Sequence, residues 1–407
     1  MKKKLHTPEG VRDIYNVECG KKLALESRLK KVFHLYGYHD IQTPTIEYFD
    51  VFREEIGTTP ANDLYKFFDK DGNTLVLRPD ITPSIARASA TLFKDENLPI
   101  RLCYTGNTFV NHSSYQGRLR ETTQMGAEFV GDDSVEADAE MLALSAQLLK
   151  AAGLKEFQLS VGHADFLRGL FEAAGLDEDV MEEIRNLLQN RNLYGVQEVV
   201  AQYVTDENLT QLFGLLTDVM LDKEKISAAK VWAQEFPRVL NALTRLEQLD
   251  ELLELYKIHK YVSYELAMIS GFDYYTGIIF AGYTFASGEA VVNGGRYDNL
   301  LKSFGKSAPS IGFAVVINQL MAALQRQNVR IPFENTTTWF IYSQQYRLAA
   351  IKDVQVLRSR GEQVELMLLT EQNTKAVYEK YAEENHIQDI IFYMYVERRM
   401  KYTNVEE

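Results

Sequence analysis

Only two cysteines occur in this chain, Cys19 and Cys103, and they stand far apart in sequence. That excludes a disulfide framework and a thiolate metal cluster, and leaves both as candidates for buried apolar filling. Long apolar runs are missing too, and no segment approaches the roughly 20 residues needed to cross a membrane as a helix. The opening MKKKLHTPEG carries a basic cluster but meets Pro8 and Glu9 without an apolar stretch. It does not read as a secretory signal, and a cytoplasmic location is the expectation. Basic charge is also short, with 44 Lys and Arg against 57 Asp and Glu, a net charge of −13 and a pI near 5.2. Proteins that grip nucleic acid draw most of their affinity from phosphate contacts and counterion release. Nucleic acid is therefore not the expected main ligand, although net charge alone leaves room for a local basic patch.

Signatures of reaction chemistry are absent as well. The GKS at residues 305–307 lacks the preceding glycine of a phosphate-binding loop. Seven histidines offer no pair at zinc-ligand spacing on a helix, and His34 and His39 read as helix-end or surface residues. There is no GxSxG nucleophile turn, and no acidic pair followed by a Gly/Thr loop of the kind that holds phosphoribosyl pyrophosphate. No metal and no cofactor is expected.

With 407 residues, 46% of them hydrophobic and 25% charged, the chain is long enough for two or three globular domains. Leu23, Leu25, Leu29, Val32, Phe33 and Leu35 recur at helical spacing before Gly37. PIRLCYTGNTFV and RETTQMGAEFVG read as two strands of one antiparallel sheet, joined by a polar loop. From about 165 to 260, segments such as VMEEIRNLLQ and RLEQLDELLELY show three-and-four spacing, a helical insertion. Strand composition then returns in YELAMISGFDYYTGIIFAGYTF, EAVVNGGRYDNLL and SIGFAVVINQL. After a lapse near NVRIPFENTTT, strand and helix alternate to the end, which predicts a small α/β module with a parallel sheet. The expected boundaries are 1–325 for the main domain, with the insertion inside it, and 330–407 for the module.

Two stretches offer pocket chemistry. As a strand, residues 124–129 place Gln124, Gly126 and Glu128 on one face, and Met125, Ala127 and Phe129 on the other. An amide, a missing side chain and a carboxylate make either a pocket floor for a small polar ligand or an ordinary solvent-facing strand. In GFDYYTG, Tyr274 and Tyr275 would point to opposite faces of a strand, so at most one enters a given pocket and either can be core.

LRPDITPSIAR, GRLRETTQMGAEFVG, GFDYYTG, NGGRYD and SIGFAVVINQL occur in the order and spacing of the class II histidyl-tRNA synthetase catalytic domain, and the resemblance spans nearly the whole chain. It implies an α+β fold, with an antiparallel sheet, flanking helices, a helical insertion and a shortened terminal α/β module. It also implies that Asp80, Thr82 and Gln124 surround the amino group of a bound histidine, while Glu128 and Tyr274 or Tyr275 address its imidazole. An ammonium calls for carboxylate and carbonyl oxygens, and an imidazole is read by an acceptor and a phenol. Asp80 stands where the synthetases usually have glutamate.

The activating half departs from the synthetase pattern. Val110 stands where an ATP-bracing arginine is expected, His112 at an acidic position, Ser270 at a catalytic arginine and Gln319 at a nucleotide-clamping arginine. Losing one positioned donor can cost about 10²- to 10³-fold in rate, so loss of three cations argues against catalysis. In this the chain resembles the synthetase-like regulatory subunits of ATP phosphoribosyltransferase. That resemblance implies a non-catalytic partner of a short catalytic subunit in the first step of histidine biosynthesis, with histidine as a feedback ligand. It further implies a homodimer through the IQTPTIEYF segment, within a hetero-oligomer expected to be a hetero-octamer. Two other readings are an active synthetase, with Arg118, Arg120 or Arg296 replacing the lost cations, and an RNA-binding regulator built on the synthetase shape.

Overall fold

The structure, a computed structural model, describes residues 6–53, 59–96, 99–112, 118–218, 221–269, 274–285, 287–333, 336–384, 387 and 389–393. The chain divides into two compact units, Met1–Asp13 with Leu25–Ile331, and Ile14–Ala24 with Pro332–Glu407.

Helix α1 (Asn16–Leu35) buries Leu25, Leu29, Val32 and Phe33 along one stripe, while Leu35 at its end is exposed. The chain turns at Gly37, which takes the left-handed φ of 78° that a side chain would resist. Strands β1 (His39–Asp40), β2 (Ile46–Tyr48), β3 (Lys66–Phe68) and β4 (Thr74–Leu77) lead into helix α2 (Thr82–Leu92). Next come β5 (Ile100–Phe109), β6 (Glu121–Val130), α3 (Val135–Ala152) and β7 (Phe157–His163). Six helices follow: α4 (Ala164–Ala174), α5 (Glu178–Gln189), α6 (Leu193–Tyr203), α7 (Glu207–Gly214), α8 (Lys223–Trp232) and α9 (Pro237–Leu255). Strands β8 (Val262–Tyr264), β9 (Ile278–Thr284), β10 (Val292–Arg296) and β11 (Ser310–Val316) and helix α10 (Ile317–Arg326) complete the larger unit.

Eight of these strands form one sheet in the order β1-β5-β6-β11-β10-β9-β7-β8. Pairing is antiparallel through its middle and parallel only at its two ends, β1 with β5 and β7 with β8. Strand alternation gives the sheet two unlike faces. Met125, Ala127 and Phe129 of β6, Ile311, Phe313 and Val315 of β11 and Val292 of β10 join one large core cluster with α3 and α9. Helix α3 is set into that core with its start capped: Ser134 Oγ accepts from Ala137 N at 3.2 Å. The opposite face of the central strands carries the site.

A separate antiparallel sheet, ordered β2-β4-β3, stands beside it. Its register puts Glu47, Val76 and Lys66 in one row, with Glu47 and Val76 buried. The other face presents Ile46, Tyr48, Phe67, Leu75 and Leu77, none of them buried, with Ile46 49% and Tyr48 57% exposed.

In the second unit β12 (Thr338–Tyr342), α11 (Arg347–Ser359), β13 (Val364–Leu368), α12 (Lys375–Glu384) and β14 (Asp389–Tyr393) alternate, and the strands pair in parallel in the order β13-β12-β14. Phe340, Ala350 and Val354 pack on one side of that sheet, and Trp339, Ile341 and Ala382 on the other. Each face is thus covered by one helix, as a parallel sheet requires.

Candidate functional site

The middle of the large sheet carries few bulky side chains on its open face. Cross-strand register aligns Gly126 with Ala314 and Asn293, and Glu128 with Gly312 and Gly295. Partners across a ladder project to the same side, so these rows form a floor of three glycines and an alanine around Glu128, with Asn293 at its edge. Each missing Cβ is put to use. A Cβ on Gly126 would run into the Tyr104 hydroxyl, one on Gly295 would meet the Tyr275 ring at 2.6 Å, and one on Gly312 would overlap the Glu128 carboxylate. Above this floor lies a cavity of about 310 Å³, lined among others by Thr59, Asp80, Thr82, Gln124, Tyr274, Tyr275, Asn293 and Tyr297.

Glu128 sits beneath the cavity with none of its surface exposed. Its Oε1 accepts from Thr82 Oγ1 at 2.7 Å, and its Oε2 accepts from the Tyr297 hydroxyl. Burial pushes its carboxyl up to about 8, against the pull of those two donors, and the nearby Asp80 charge pushes the same way. Asp80 is half-buried, and its Oδ1 accepts from Ile81 N at 2.7 Å at the start of α2. Gln124 Oε1 and the Tyr274 hydroxyl are buried with no hydrogen-bond partner. A buried polar atom without a partner costs roughly 1–3 kcal/mol, so both atoms are set for a ligand or ordered water.

The sequence-predicted residues Asp80, Thr82, Gln124, Glu128, Tyr274 and Tyr275 are thus brought together, Glu128 under the floor and the rest around the cavity. One expectation needs correction. Tyr274 and Tyr275 precede β9 in a turn rather than lying within a strand, so alternation does not separate them and both line the cavity. Their rings meet edge to face at 5.0 Å, and Tyr274 also stacks on Tyr297 at 5.5 Å. Burial raises the phenol pKa of all three above the ordinary value of 10.0, so they remain donors. Sequence reasoning missed Tyr297 and Asn293. The signal was present in NGGRYD, where positions 293, 295 and 297 fall on one face.

Val110, His112 and Gln319 lie outside the cavity lining. Val110 closes the β5–β6 connection, its N donating to Arg120 O at 2.9 Å, and His112 is half-buried beyond it. Gln319 donates through Nε2 to Glu289, and Arg118 pairs with the same carboxylate at 2.9 Å. Ser270 falls outside the described residues. Arg296, one of the cations that could have replaced the missing arginines, is only 4% exposed and faces the core side. Its Nη2 lies 2.6 Å from Asp138 Oδ1 and its Nη1 3.3 Å from Asp298 Oδ1, while Arg245 of α9 holds the other oxygen of Asp138 at 2.6 Å. Its charge is spent on α3 and the neighbouring turn.

The cysteines are both free, Cys103 buried and Cys19 only half-buried, which corrects the expectation that both are buried. Cys103 lies near His34 and Asp40, three groups of metal-ligating type that spacing in sequence did not anticipate. Lys30 already holds Asp40 at 3.0 Å, and burial pushes the Cys103 thiol up to about 12, so the cluster is satisfied as an ion pair with a buried thiol. No helix among the described residues is long and apolar enough to cross a membrane.

An antiparallel sheet with a glycine-floored, carboxylate-bearing pocket, an α-helical insertion and a trailing α/β unit is the architecture of the class II synthetase fold. The histidyl-tRNA synthetase family model matches residues 10–320. A protein of Acetivibrio thermocellus named ATP phosphoribosyltransferase regulatory subunit is 39% identical over 370 residues, which cover 89% of this chain and 87% of that relative. One of the same name from Ruminiclostridium cellulolyticum is 38% identical over 389 residues, covering 96% and 92%. A crystal structure from Bacillus halodurans C, described as an ATP phosphoribosyltransferase regulatory subunit/histidyl-tRNA synthetase, superposes with a TM-score of 0.84 at 31% identity, covering 96% of this chain and 99% of that one. Histidyl-tRNA synthetase from Nostoc sp. PCC 7120, 20% identical over 95% of this chain and 90% of its own, shares the fold with a TM-score of 0.75. This chain belongs to the histidyl-tRNA synthetase family and, within it, to the ATP phosphoribosyltransferase regulatory subunits.

Proposed function

We propose that this chain is the non-catalytic regulatory subunit of an ATP phosphoribosyltransferase, acting in the first step of histidine biosynthesis, and that its cavity reads free histidine. The observation that carries the pocket reading is Glu128, buried and held by Thr82 and Tyr297 directly beneath a cavity in which Gln124 and Tyr274 have polar atoms without partners. An imidazole N–H meets the Glu128 carboxylate, a tyrosine hydroxyl meets the second ring nitrogen, and Asp80 with Gln124 receives the ammonium.

Catalysis finds little support in the same place. None of the described residues lining the cavity is a lysine or arginine, and Arg296 and Arg118 are engaged with carboxylates elsewhere. A developing phosphoryl charge would meet no cation among the described residues of the lining. Histidine is then a signal rather than a substrate, and the active partner is the short catalytic subunit, joined by a dimer of this chain in a hetero-octamer. The test is to mix this chain with the short phosphoribosyltransferase subunit, follow transferase activity, and titrate with histidine. Co-purification, activity that depends on this chain, and inhibition by histidine are expected. A partner indifferent to this chain would overturn the proposal.

A further inference from the structure

The cavity has acceptors in excess. Asp80 and Glu128 carry carboxyl groups, Thr82 and Tyr297 already donate to Glu128, and no described residue of the walls is a lysine or arginine. A free amino acid is a zwitterion, so its own carboxylate needs donors, and the residues assigned so far leave for it only the Gln124 amide nitrogen and one tyrosine hydroxyl. Asn293 is placed to be a further donor.

Strand register fixes where Asn293 points. Val292 belongs to the core cluster on the other face, and Asn293 pairs with Ala314, which pairs in turn with Gly126 of the pocket floor. Asn293 is therefore the one side chain that β10 projects over the open face, since the next strand position on that face, Gly295, has none. It is exposed at the rim of the cavity, where a ligand's polar end can reach it. The Glu128 carboxylate lies against Gly312, and Gly312 is the diagonal neighbour of Asn293, one strand across and two residues along. Strand spacing and rise put those two backbone positions roughly 8 Å apart. A histidine with a hydrogen bond at each end bridges that span, its ring toward Glu128 and its carboxylate toward Asn293.

We propose that Asn293 is the specificity-determining residue that reads the carboxylate of the bound amino acid, using the two N–H donors of a neutral carboxamide where an arginine fork would otherwise be used. This rests on the reading of the cavity as a histidine pocket. A neutral donor gives a weaker grip than a charge-assisted bidentate pair, which suits a sensor that must release its ligand when the pool falls.

The experiment is calorimetric titration of the full chain and two variants, Asn293→Ala and Asn293→Asp, with L-histidine and with histamine, which lacks the carboxylate. Wild type should prefer histidine. Asn293→Ala should weaken histidine about tenfold, the size of one lost hydrogen bond to a charged group, and leave histamine unchanged. Asn293→Asp, by placing like charge against the carboxylate, should weaken histidine further without weakening histamine. Equal losses for both ligands, or no loss for histidine, would overturn the role of Asn293 alone. If wild type binds neither ligand, the pocket reading falls and this inference with it.

Discussion

Gly312 of β11 lies so close to the Glu128 carboxylate of β6 that a single added methyl would occupy the same space. The two residues are cross-strand partners, and the absence of a side chain on one is what allows the other to lie along the floor of the cavity. Glycine is needed there for space rather than for backbone freedom, since Gly312 is not among the positive-φ glycines.

Gly312→Ala should therefore fold but displace the Glu128 carboxylate. Histidine affinity, measured by calorimetry, is expected to fall tenfold or more, while the circular dichroism spectrum stays native. Unaltered affinity would mean that Glu128 takes no part in binding.

Glu128 also gives the protein a pH signature. Its carboxyl, ordinarily at 4.5, is pushed up to about 8 by burial. Between those values the folded chain holds a proton that the unfolded chain has released, so the contribution to stability is present below pH 4.5 and is lost as pH rises through 8. The loss is on the order of a few kcal/mol. Denaturant titrations at about pH 5 and about pH 8 should show this decline in wild type and a flatter profile in Glu128→Gln. In the assembled complex the same variant should blunt histidine inhibition and leave uninhibited transferase activity nearly intact.

The apolar face formed by Ile46, Tyr48, Phe67, Leu75 and Leu77 predicts a two-fold contact between copies of this chain. An isologous interface would cover these side chains twice over. Sedimentation at micromolar concentration should give a dimer, and Tyr48→Glu should give a folded monomer. A monomeric wild type contradicts the prediction.

Asp138 is fully buried between Arg245 and Arg296. Asp138→Ala removes the carboxylate shared by Arg245 and Arg296 and leaves the buried Arg296 with only the longer contact to Asp298, which is expected to cost about 3 kcal/mol. Thermal melting reads the stability loss. Because Arg296 precedes Tyr297, histidine affinity should fall as well, and a destabilised variant with unchanged affinity would show that the ion pair and the pocket are independent.

By itself the chain should show neither aminoacylation nor histidine-dependent ATP–pyrophosphate exchange. Exchange above background would restore the active-synthetase reading and require a cation not identified near the cavity.

Local pattern determined much of this protein. The alternation of Gln124, Gly126 and Glu128 with Met125, Ala127 and Phe129 already separated the pocket face from the core face, because a strand has a period of two and only one face of β6 could be apolar. Helical spacing identified α1 and the helices between Ala164 and Leu255 for the same kind of reason. What the sequence could not hold was anything that depended on residues distant in the chain. Tyr297 reaches Glu128 across 169 positions, Arg296 turns to Asp138 across 158, and Asn293 meets the floor only because β10 pairs with β11 in one register. The two adjacent tyrosines enter one cavity because they lie in a turn, a matter of backbone path that composition does not encode. Periodicity is a property of neighbours and can be read from a string, whereas partners across a sheet are chosen by the tertiary fold, which alone decided how the pocket is closed.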